Sequence, residues 1–211
     1  MHLYEEFAFC FVCKIKVPLS EVVDVETIRK IKKAPEDIKE AVEYITSLLP
    51  HSVRGLSLPQ DDTGYYILWP DKSYYKKRLF RGDLRYMGPR GHRPPLLSFP
   101  GSEVFNLVLV EGELNALSLR HAVGDDHRYT IASPGSCGEF LRHLDKYLTY
   151  TNITVIVDLD PPGVVYGLEL KKELLKHGKR VQLVAAEKDY NQILTEEGKE
   201  ALKKIAEEMG L

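Results

Sequence analysis

The stretch Ile153-Thr-Val-Ile-Val-Asp-Leu-Asp-Pro-Pro-Gly163 joins a β-branched run to two acids and a glycine. Such a run is typical of a strand that is buried on both faces of a parallel sheet. Because side chains alternate along an extended chain, Asp158 and Asp160 point to the same side and can grip one cation together. Open α/β sheets bind their ligands at the carboxyl edge. The stretch therefore predicts an α/β fold with two acids at its ligand-binding edge.

Two further segments carry acids at corresponding places. Glu111 follows the leucine-rich run in Val108-Leu-Val-Glu-Gly-Glu-Leu-Asn115, and Asp189 lies in Glu187-Lys-Asp-Tyr-Asn191. Carboxylates gathered at one edge repel each other unless they share a cation. Hard oxygen ligands in this number suit Mg²⁺ or Mn²⁺, and Mg²⁺ usually binds substrate phosphates. We therefore expect a divalent metal site at this edge.

From residue 104 onward, apolar runs and helical patterns alternate. Strands are predicted at 107–110, 129–132, 153–157 and 180–185, and helices at 113–121, 138–148, 163–177 and 196–209. Four such units predict a parallel, right-handed sheet with helices on both faces. Upstream, the pattern predicts helices at 20–33 and 35–49, a loop at 51–62, a hairpin of 64–69 with 74–80, and an irregular segment at 81–100.

These motifs together resemble the Toprim domain of primases, topoisomerases and some nucleases. Its pattern is a strand ending in Glu-Gly, then a strand ending in Asp-x-Asp with a glycine three residues on. Glu111-Gly112 and Asp158-Leu-Asp160-Pro-Pro-Gly163 match it, and Lys188-Asp189-Tyr190-Asn191 is similar to the Lys-Asp-x-Asn element of the phage primase–helicase branch. The three motifs span about residues 103–195. The chain departs from the family at Asn115, usually Asp, and at Gln192, usually an acid.

The resemblance implies roles for the acids. It makes Glu111, Asp158 and Asp160 catalytic and adds Asp189 as a metal ligand. Glu111 would act as an acid or base, or as a further metal contact. Gly112 is expected to let the chain turn sharply beneath a ligand, and Gly163 to open a helix close to the sheet.

Residues 70–100 carry eight Lys or Arg residues against two Asp, a net charge of +6 in a chain whose net charge is −2. Tyr74, Tyr75, Phe80, Tyr86 and His92 are interleaved with them. This mixture suits a nucleic acid whose phosphates contact Lys and Arg and whose bases stack on aromatic rings. The alternative interpretation is a solvated hairpin with long side chains that snorkel to water.

The stretch is also similar to the small basic subdomain that precedes Toprim in phage-type primases. That likeness implies a role in holding nucleotides and template. The residues expected to bind nucleic acid or nucleotide are Lys77, Arg78, Arg81, Arg85 and Lys188.

Cys10-Phe-Val-Cys13 looks like the second half of a primase zinc ribbon. A structural zinc site needs four ligands, usually from two such pairs, and only one pair is present. We therefore expect two unmetallated cysteines and no zinc, with a degenerate site at Cys10 and Cys13 as the alternative. The segment Ser133-Pro-Gly-Ser-Cys-Gly138 precedes a helix and has two interpretations, a phosphate-binding turn or an ordinary one.

The sequence as a whole predicts three segments: a half zinc-ribbon-like piece at 1–18, a basic α+β subdomain at 19–102, and an α/β Toprim domain at 103–211. The predicted activity is Mg²⁺-dependent synthesis of short RNA primers on single-stranded DNA from nucleoside triphosphates. A Toprim nuclease and a non-catalytic nucleic-acid-binding primase relic remain as alternatives, and Asn115 and Gln192 favour the relic.

The sequence composition also indicates the cellular location of the protein and which partners it is expected to have. No apolar run reaches the ~20 residues needed to cross a bilayer, and no basic-then-apolar leader is present. Three cysteines in such a chain favour a reducing compartment, so a cytoplasmic location without a membrane partner is predicted. No P-loop follows the acidic motifs, so any helicase would be a separate partner.

Overall fold

A computed structural model describes residues 38–81, 86–89, 91–124 and 127–211, together with the backbone of three short strands. These are β1 (His2–Leu3), β2 (Phe7–Phe9) and β3 (Lys16–Pro18), which form an antiparallel sheet in the order β1-β2-β3. The predicted helix at 20–33 and the Cys10–Cys13 pair lie outside the described residues.

The chain divides into two compact units. The first comprises residues 1–53 and 57–94, and the second comprises residues 54–56 and 95–211. The division therefore falls at 94/95, ahead of the boundary at 102/103 that the sequence predicts. The reason is a short strand at Leu97–Phe99, which pairs with the sheet of the second unit.

Upstream of residue 94, one helix is followed by short strands: α1 (Ile38–Ser47), β4 (Pro50–Val53), β5 (Leu56–Pro59), β6 (Gly64–Leu68), β7 (Tyr75–Leu79) and β8 (Tyr86–Met87). The antiparallel pairing of β6 with β7 agrees with the predicted hairpin, and β8 adds a third strand. The predicted loop at 51–62 is wrong, because β4 and β5 pair across a two-residue turn. Helix α1 buries Ala41, Val42 and Ile45 against tyrosines of β6 and β7.

The second unit contains the predicted sheet. Its strands are β9 (Leu97–Phe99), β10 (Asn106–Val110), β11 (Thr130–Ser133), β12 (Asn152–Asp158) and β13 (Arg180–Ala186). Their order is β13-β12-β10-β11-β9, with the first four parallel and β9 antiparallel to β11. The parallel α/β sheet is thus confirmed, whereas the edge strand β9 falls in the segment predicted to be irregular.

The helices of this unit form two groups. The 3₁₀ helix Cys137–His143 contacts α4 (Pro161–Lys176), and α4 packs on β12 and β13. The other group consists of α2 (Glu113–Val123), α5 (Tyr190–Glu196) and α6 (Lys199–Glu208), which pack on one another. A short helix, α3 (Leu144–Tyr147), continues the 3₁₀ turn. The helix predicted at 196–209 corresponds to α6, which begins three residues later, after a break at Glu197–Gly198. Helix α5 is not predicted from the sequence.

The central strands β10, β11 and β12 are largely buried on both faces, as the sequence predicts for β10 and β12, whereas the edge strands β9 and β13 are only partly buried. One core cluster is built from alternate strand residues and from residues of the 3₁₀ helix, α3 and α4: Leu107, Leu109, Ala132, Phe140, Tyr147, Ile153, Val155, Val157, Leu170 and Leu174. Val108, Val110 and Ile156, which alternate with them, are equally buried. This packing holds the carboxyl ends of β10, β12 and β13 side by side. In the part of the chain that the structure describes, no helix is long and apolar enough to cross a bilayer.

Candidate active site at the carboxyl edge of the sheet

Three adjacent parallel strands end in acidic residues. Glu111 follows β10, Asp158 is the last residue of β12, and Asp189 follows β13. The backbone N–H of Glu111 donates to the carbonyl of Ile156 at 3.1 Å, which continues the β10–β12 ladder to the strand end. The predicted edge of the sheet is therefore where the structure places these acids.

Asp160 joins them at the start of α4. It is the N-cap of this helix, and its carboxylate accepts a hydrogen bond from the backbone N–H of Gly163 at 2.7 Å. A Cβ added at Gly163 would lie 3.0 Å from both Asp160 Oδ1 and Glu111 Oε2, and 2.6 Å from the carbonyl oxygen of Asp158. Real Cβ atoms essentially never approach a backbone oxygen so closely. Glycine at 163 thus lets the helix start against the acids, as the sequence predicts.

The predicted role of Gly112, to leave room for a ligand, stays a prediction, because the protein's own geometry does not require glycine there. Its φ of −104° and ψ of 146° are extended values that any residue adopts, and an added Cβ would lie 3.8 Å from its nearest neighbour, Asn115 Nδ2. The protein itself therefore gives no steric reason for a glycine at this position.

The acids perturb one another. The pKa of Asp158 is raised from 3.8 to about 6, first by burial and then by the charges of Glu111, Asp189 and Asp160 and a hydrogen bond with Asp189. The backbone N–H of Asp158 also donates to Glu111 Oε2 at 3.3 Å. The site thus gathers more negative charge than the protein alone offsets.

Amide side chains position Asp189 and the loop that carries it. Asn115 Nδ2 donates to Asp189 Oδ1 at 3.3 Å, and Asn115 Oδ1 accepts from the backbone N–H of Asn191 at 3.0 Å. Asn191 is buried, and its Nδ2 donates to Ser118 Oγ at 3.0 Å and to the carbonyl of Arg54 at 3.1 Å. The sequence singles out Asn115 only as a departure from a motif, and it gives no signal for Arg54 or Ser118.

Cys137 is a neighbour of the site to which the sequence does not point. Burial, the charge of Glu111 and a hydrogen bond with Glu111 raise the pKa of its thiol to about 12, so the thiol stays protonated. The preceding turn also touches this acid, since Ser133 Oγ donates to the carbonyl of Glu111 at 3.1 Å. The segment 133–138 therefore borders Glu111, although only its position after β11 could have suggested this.

Lys188, in the third motif, and Gln192, which directly follows that motif, point away from the acids. Lys188 Nζ lies 2.8 Å from Glu197 Oε1, and Gln192 Nε2 donates to Glu196 Oε1 at 2.8 Å. Both contacts are exposed, and only the contact of Gln192 with Glu196 lies within α5. Among the described residues, no three His, Cys, Asp or Glu side chains stand in the arrangement of a preformed metal site. The acids are neighbours that would have to turn toward a common ion.

The basic side chains of residues 70–100 lie in two different environments, one buried and one more exposed. Lys77 Nζ forms an ion pair with Asp61 at 2.5 Å, contacts Thr63 Oγ1 and lies 4.7 Å from the centre of the Tyr66 ring. The side chains of Lys77 and Asp61 are 12% and 13% exposed. Burial alone would raise the pKa of Asp61, but hydrogen bonds from Lys77, Tyr66 and Thr63 outweigh it and lower the pKa to about 2. Lys77 is therefore held inside the first unit.

Arg78 and Arg81 are more accessible. Arg78 Nη1 donates to Tyr86 Oη at 2.8 Å, and the guanidinium lies 5.2 Å from the ring centre, with Lys76 on the same ring at 5.6 Å. Arg81 is exposed, and Arg85 lies outside the described residues. The structure thus gives an aromatic-backed basic surface around Tyr86, which we name the Tyr86 patch: Lys76, Arg78 and Tyr86.

Comparison with known proteins identifies the fold. No family model matches the chain. The Gene 57 protein of Mycobacterium phage D29 is 25% identical over 136 residues, which is 64% of this chain and 86% of that protein. The primase fragment of the bacteriophage T7 primase-helicase protein matches with a TM-score of 0.56 at 16% identity, over 96% of this chain and 91% of that one. The Aquifex aeolicus primase (zinc binding and RNA polymerase domains) matches with a TM-score of 0.47 at 18% identity, over 89% of this chain and 50% of that one. The chain has the mixed α/β fold of the T7 primase fragment.

Proposed function

We propose that this chain is a Toprim-type DNA primase that makes short RNA primers on single-stranded DNA from nucleoside triphosphates. The proposal rests mainly on one observation: Glu111, Asp158 and Asp189 lie next to one another at the ends of three adjacent parallel strands. Burial, together with the charges of these neighbouring acids, raises the pKa of Asp158. The fold shared with the T7 primase fragment supports the choice of reaction.

The donor set fits a divalent cation. Glu111, Asp158, Asp160 and Asp189 offer hard carboxylate oxygens, and their crowding is a repulsion that Mg²⁺ or Mn²⁺ would offset. When bound, the ion would neutralise charge on the reacting phosphates. No side chain of this cluster is a ligand that would favour zinc, apart from the protonated thiol of Cys137.

Glu111 is the proposed acid or base. Its Oε2 is held by the backbone N–H of Asp158, and its carbonyl accepts from Ser133. In primer extension it would accept the proton of the attacking 3′-hydroxyl as that oxygen bonds to the α-phosphorus and pyrophosphate leaves. General-base assistance of this kind typically contributes ~10²–10⁴-fold.

The Tyr86 patch is the proposed contact for single-stranded DNA. Arg78 and Lys76 offer charge for phosphates, and the ring of Tyr86 is a stacking surface of the kind that binds bases without sequence preference. Arg81 and Arg85 extend the charge along the chain. Lys77 is left out of the contact set, because it is engaged with Asp61.

One incubation tests the proposal. The chain is mixed with single-stranded DNA, labelled nucleoside triphosphates and Mg²⁺, and products are separated by size. Short labelled RNA is the expected result. Shortened DNA would instead identify a nuclease that uses water with the same acids, and retention of DNA without any new product would identify a binding relic.

A further inference from the structure

The two edges of the parallel sheet are built differently. At one edge, β9 spans three residues and is followed by Pro100, and both features limit pairing with another strand. At the other edge, β13 spans seven residues, and its run Val181–Ala186 contains no charge and no proline. Proteins usually blunt or cover long uncharged edge strands, because such strands pair readily with others. Among the strands that the structure describes, none lies beyond β13.

Half of the backbone groups of β13 point to this open edge. The N–H of Arg180 and the carbonyl of Ala186 bond inward, each at 3.0 Å, to the residues that flank β12. In a parallel pair, both groups of one residue point to the same neighbouring strand, and successive residues point to opposite sides. The outward N–H and carbonyl groups are therefore those of Val181, Leu183 and Ala185.

Helix α4 adds an apolar surface above the same edge. Its sheet-facing side carries Gly167, where an added Cβ would lie 2.9 Å from Leu183 Cδ1 of β13. Leu168 and Leu175 lie roughly 100° further round the helix from Gly167. They are 53% and 50% exposed. Because βαβ connections are right-handed, this side of α4 faces the free edge of β13 and not the centre of the sheet.

We propose that a second copy of this chain pairs with β13 in antiparallel register and joins the two sheets. In the register that matches the outward groups, Leu183 lies on the twofold axis opposite its own copy, and Val181 lies opposite Ala185. Lys179 then faces Glu187 of the other copy at both ends of the pair. Opposite charges that face each other across two strands stabilise the pairing. Within the described part of the chain, neither Lys179 nor Glu187 has an ion-pair partner.

The same axis brings the two α4 helices together. Helix α4 contacts both β12 and β13. If it lies midway between them, the two helix axes are separated by two strand spacings, or about 10 Å. Packed helices lie about 8–10 Å apart, so Leu168 and Leu175 become buried between them. Because the axis reverses the strand direction, the two acid edges lie at opposite ends of the joined sheet, and both stay accessible.

Sedimentation equilibrium of the full chain over a concentration series tests the proposal. A species of twice 24.1 kDa is expected. Leu168→Glu places a charge in the apolar contact and should raise the Kd of the dimer about tenfold or more. Leu141→Glu, at an exposed leucine of the 3₁₀ helix, is the matched control and should dimerise as wild type does. Circular dichroism should show wild-type helix content in both variants.

A charge exchange tests the register. Glu187→Lys alone sets like charges opposite each other at both ends and should weaken the dimer about tenfold. Lys179→Glu combined with Glu187→Lys restores opposite charges and should recover most of the lost affinity. A double variant that dimerises as weakly as Glu187→Lys would contradict the register.

Two results would overturn the proposal as a whole. A 24.1 kDa monomer at every concentration would show that a second copy does not cover this edge and would leave it to a strand of another protein. A dimer that neither Leu168→Glu nor Glu187→Lys weakens would show that the two copies meet at another surface. Primer synthesis does not depend on either result, because the dimer leaves both acid edges open.

Discussion

Asn115 donates a hydrogen bond from its side-chain amide to the carboxylate of Asp189, with 3.3 Å between Nδ2 and Oδ1. Toprim domains, which this chain resembles, usually carry Asp at this position. An Asp could still accept from the N–H of Asn191, as Asn115 does at 3.0 Å, but it could not donate to Asp189. Asn115 therefore supplies a hydrogen-bond donor to Asp189 at a place where an Asp would add a further negative charge.

The substitution Asn115→Asp should make the thermal stability of the protein more dependent on bound metal. Without metal, the added carboxylate next to Asp189 should lower the Tm at pH 8, because like charges at hydrogen-bond distance repel. Mg²⁺ or Mn²⁺ should then raise the Tm of this variant more than that of wild type, since a ligand that binds only the folded state stabilises it. Asn115→Ala removes the donor without adding charge and is the matched control. Equal metal-induced shifts in the three proteins would refute the role assigned to Asn115.

Asp158 should make the stability of the metal-free protein depend on pH. Its folded pKa of about 6 lies above the ordinary value of 3.8, so the folded state binds this proton more tightly than the unfolded chain does. The resulting stabilisation is complete below about pH 4 and is lost as the pH rises through about 6. Asp158→Asn should flatten that decline and raise the free energy of unfolding at pH 8 by about 1 kcal/mol, a value reduced for solvent screening because Asp158 is only half-buried.

Metal binding provides the second half of the same test. Mg²⁺ should raise the Tm of wild type at pH 8 and should have little effect on Asp158→Asn. Asp145→Asn, at an exposed acid of α3, is the control and should behave as wild type. A pH profile of Asp158→Asn that matches wild type would contradict the environment assigned to Asp158.

Gly163→Ala should disturb both stability and the acid site. The new Cβ would lie 2.6 Å from the carbonyl oxygen of Asp158, so the first turn of α4 must move away from β12. Overpacking of this kind costs about 1–3 kcal/mol. Gly138→Ala is the matched control, because a Cβ there meets nothing within 4 Å. Urea unfolding should show the destabilisation only in Gly163→Ala, and an unchanged midpoint would show that the helix start can shift freely.

Substitutions at Lys77 should affect stability, whereas substitutions in and next to the Tyr86 patch should affect nucleic-acid binding. Lys77→Met leaves Asp61 without its ion-pair partner and should cost about 3 kcal/mol of stability in the first unit. Changing Arg78, Arg81 and Arg85 together to Ala should leave the Tm nearly unchanged. It should weaken binding of single-stranded DNA and reduce the slope of log affinity against log salt by about 1 for each phosphate that the variant no longer neutralises.

Fluorescence anisotropy across a salt series measures both the affinity and the salt slope. If Lys77→Met lowers the salt slope while keeping its Tm, Lys77 contacts phosphate and its ion pair with Asp61 does not stabilise the fold. If the triple variant binds as wild type does, the basic stretch is a solvated hairpin, which is the alternative that the sequence allows.

The parallel sheet and the location of the acids could be predicted because both depend on local pattern. The run Ile153–Val157 is β-branched and bounded by turn residues, and the acid that follows it must lie at the carboxyl edge. Gly163 could be predicted as well, since a helix that starts directly after Asp158 must pass close to the strand end.

The parts that the sequence did not reveal depend on partners far away in the chain. Strand Leu97–Phe99 is three residues long and lies between prolines, so only its pairing with β11 identifies it. The β4–β5 turn uses Arg-Gly, which lacks the usual Asn-Gly signal. The contacts of Cys137 with Glu111 and of Arg54 with Asn191 join residues from separate elements, and no spacing rule relates them.

Templated nucleotide transfer that depends on Glu111 is the activity on which the proposed function rests. It is measured as formation of labelled RNA on single-stranded DNA with Mg²⁺, compared between wild type and Glu111→Gln at equal Tm and equal DNA affinity. Gln keeps the size of the side chain and removes its charge and proton-accepting ability, so the rate should fall by ~10²–10⁴-fold. RNA synthesis by Glu111→Gln at the wild-type rate, or no synthesis by wild type under conditions in which it binds DNA and nucleotide, would contradict this role.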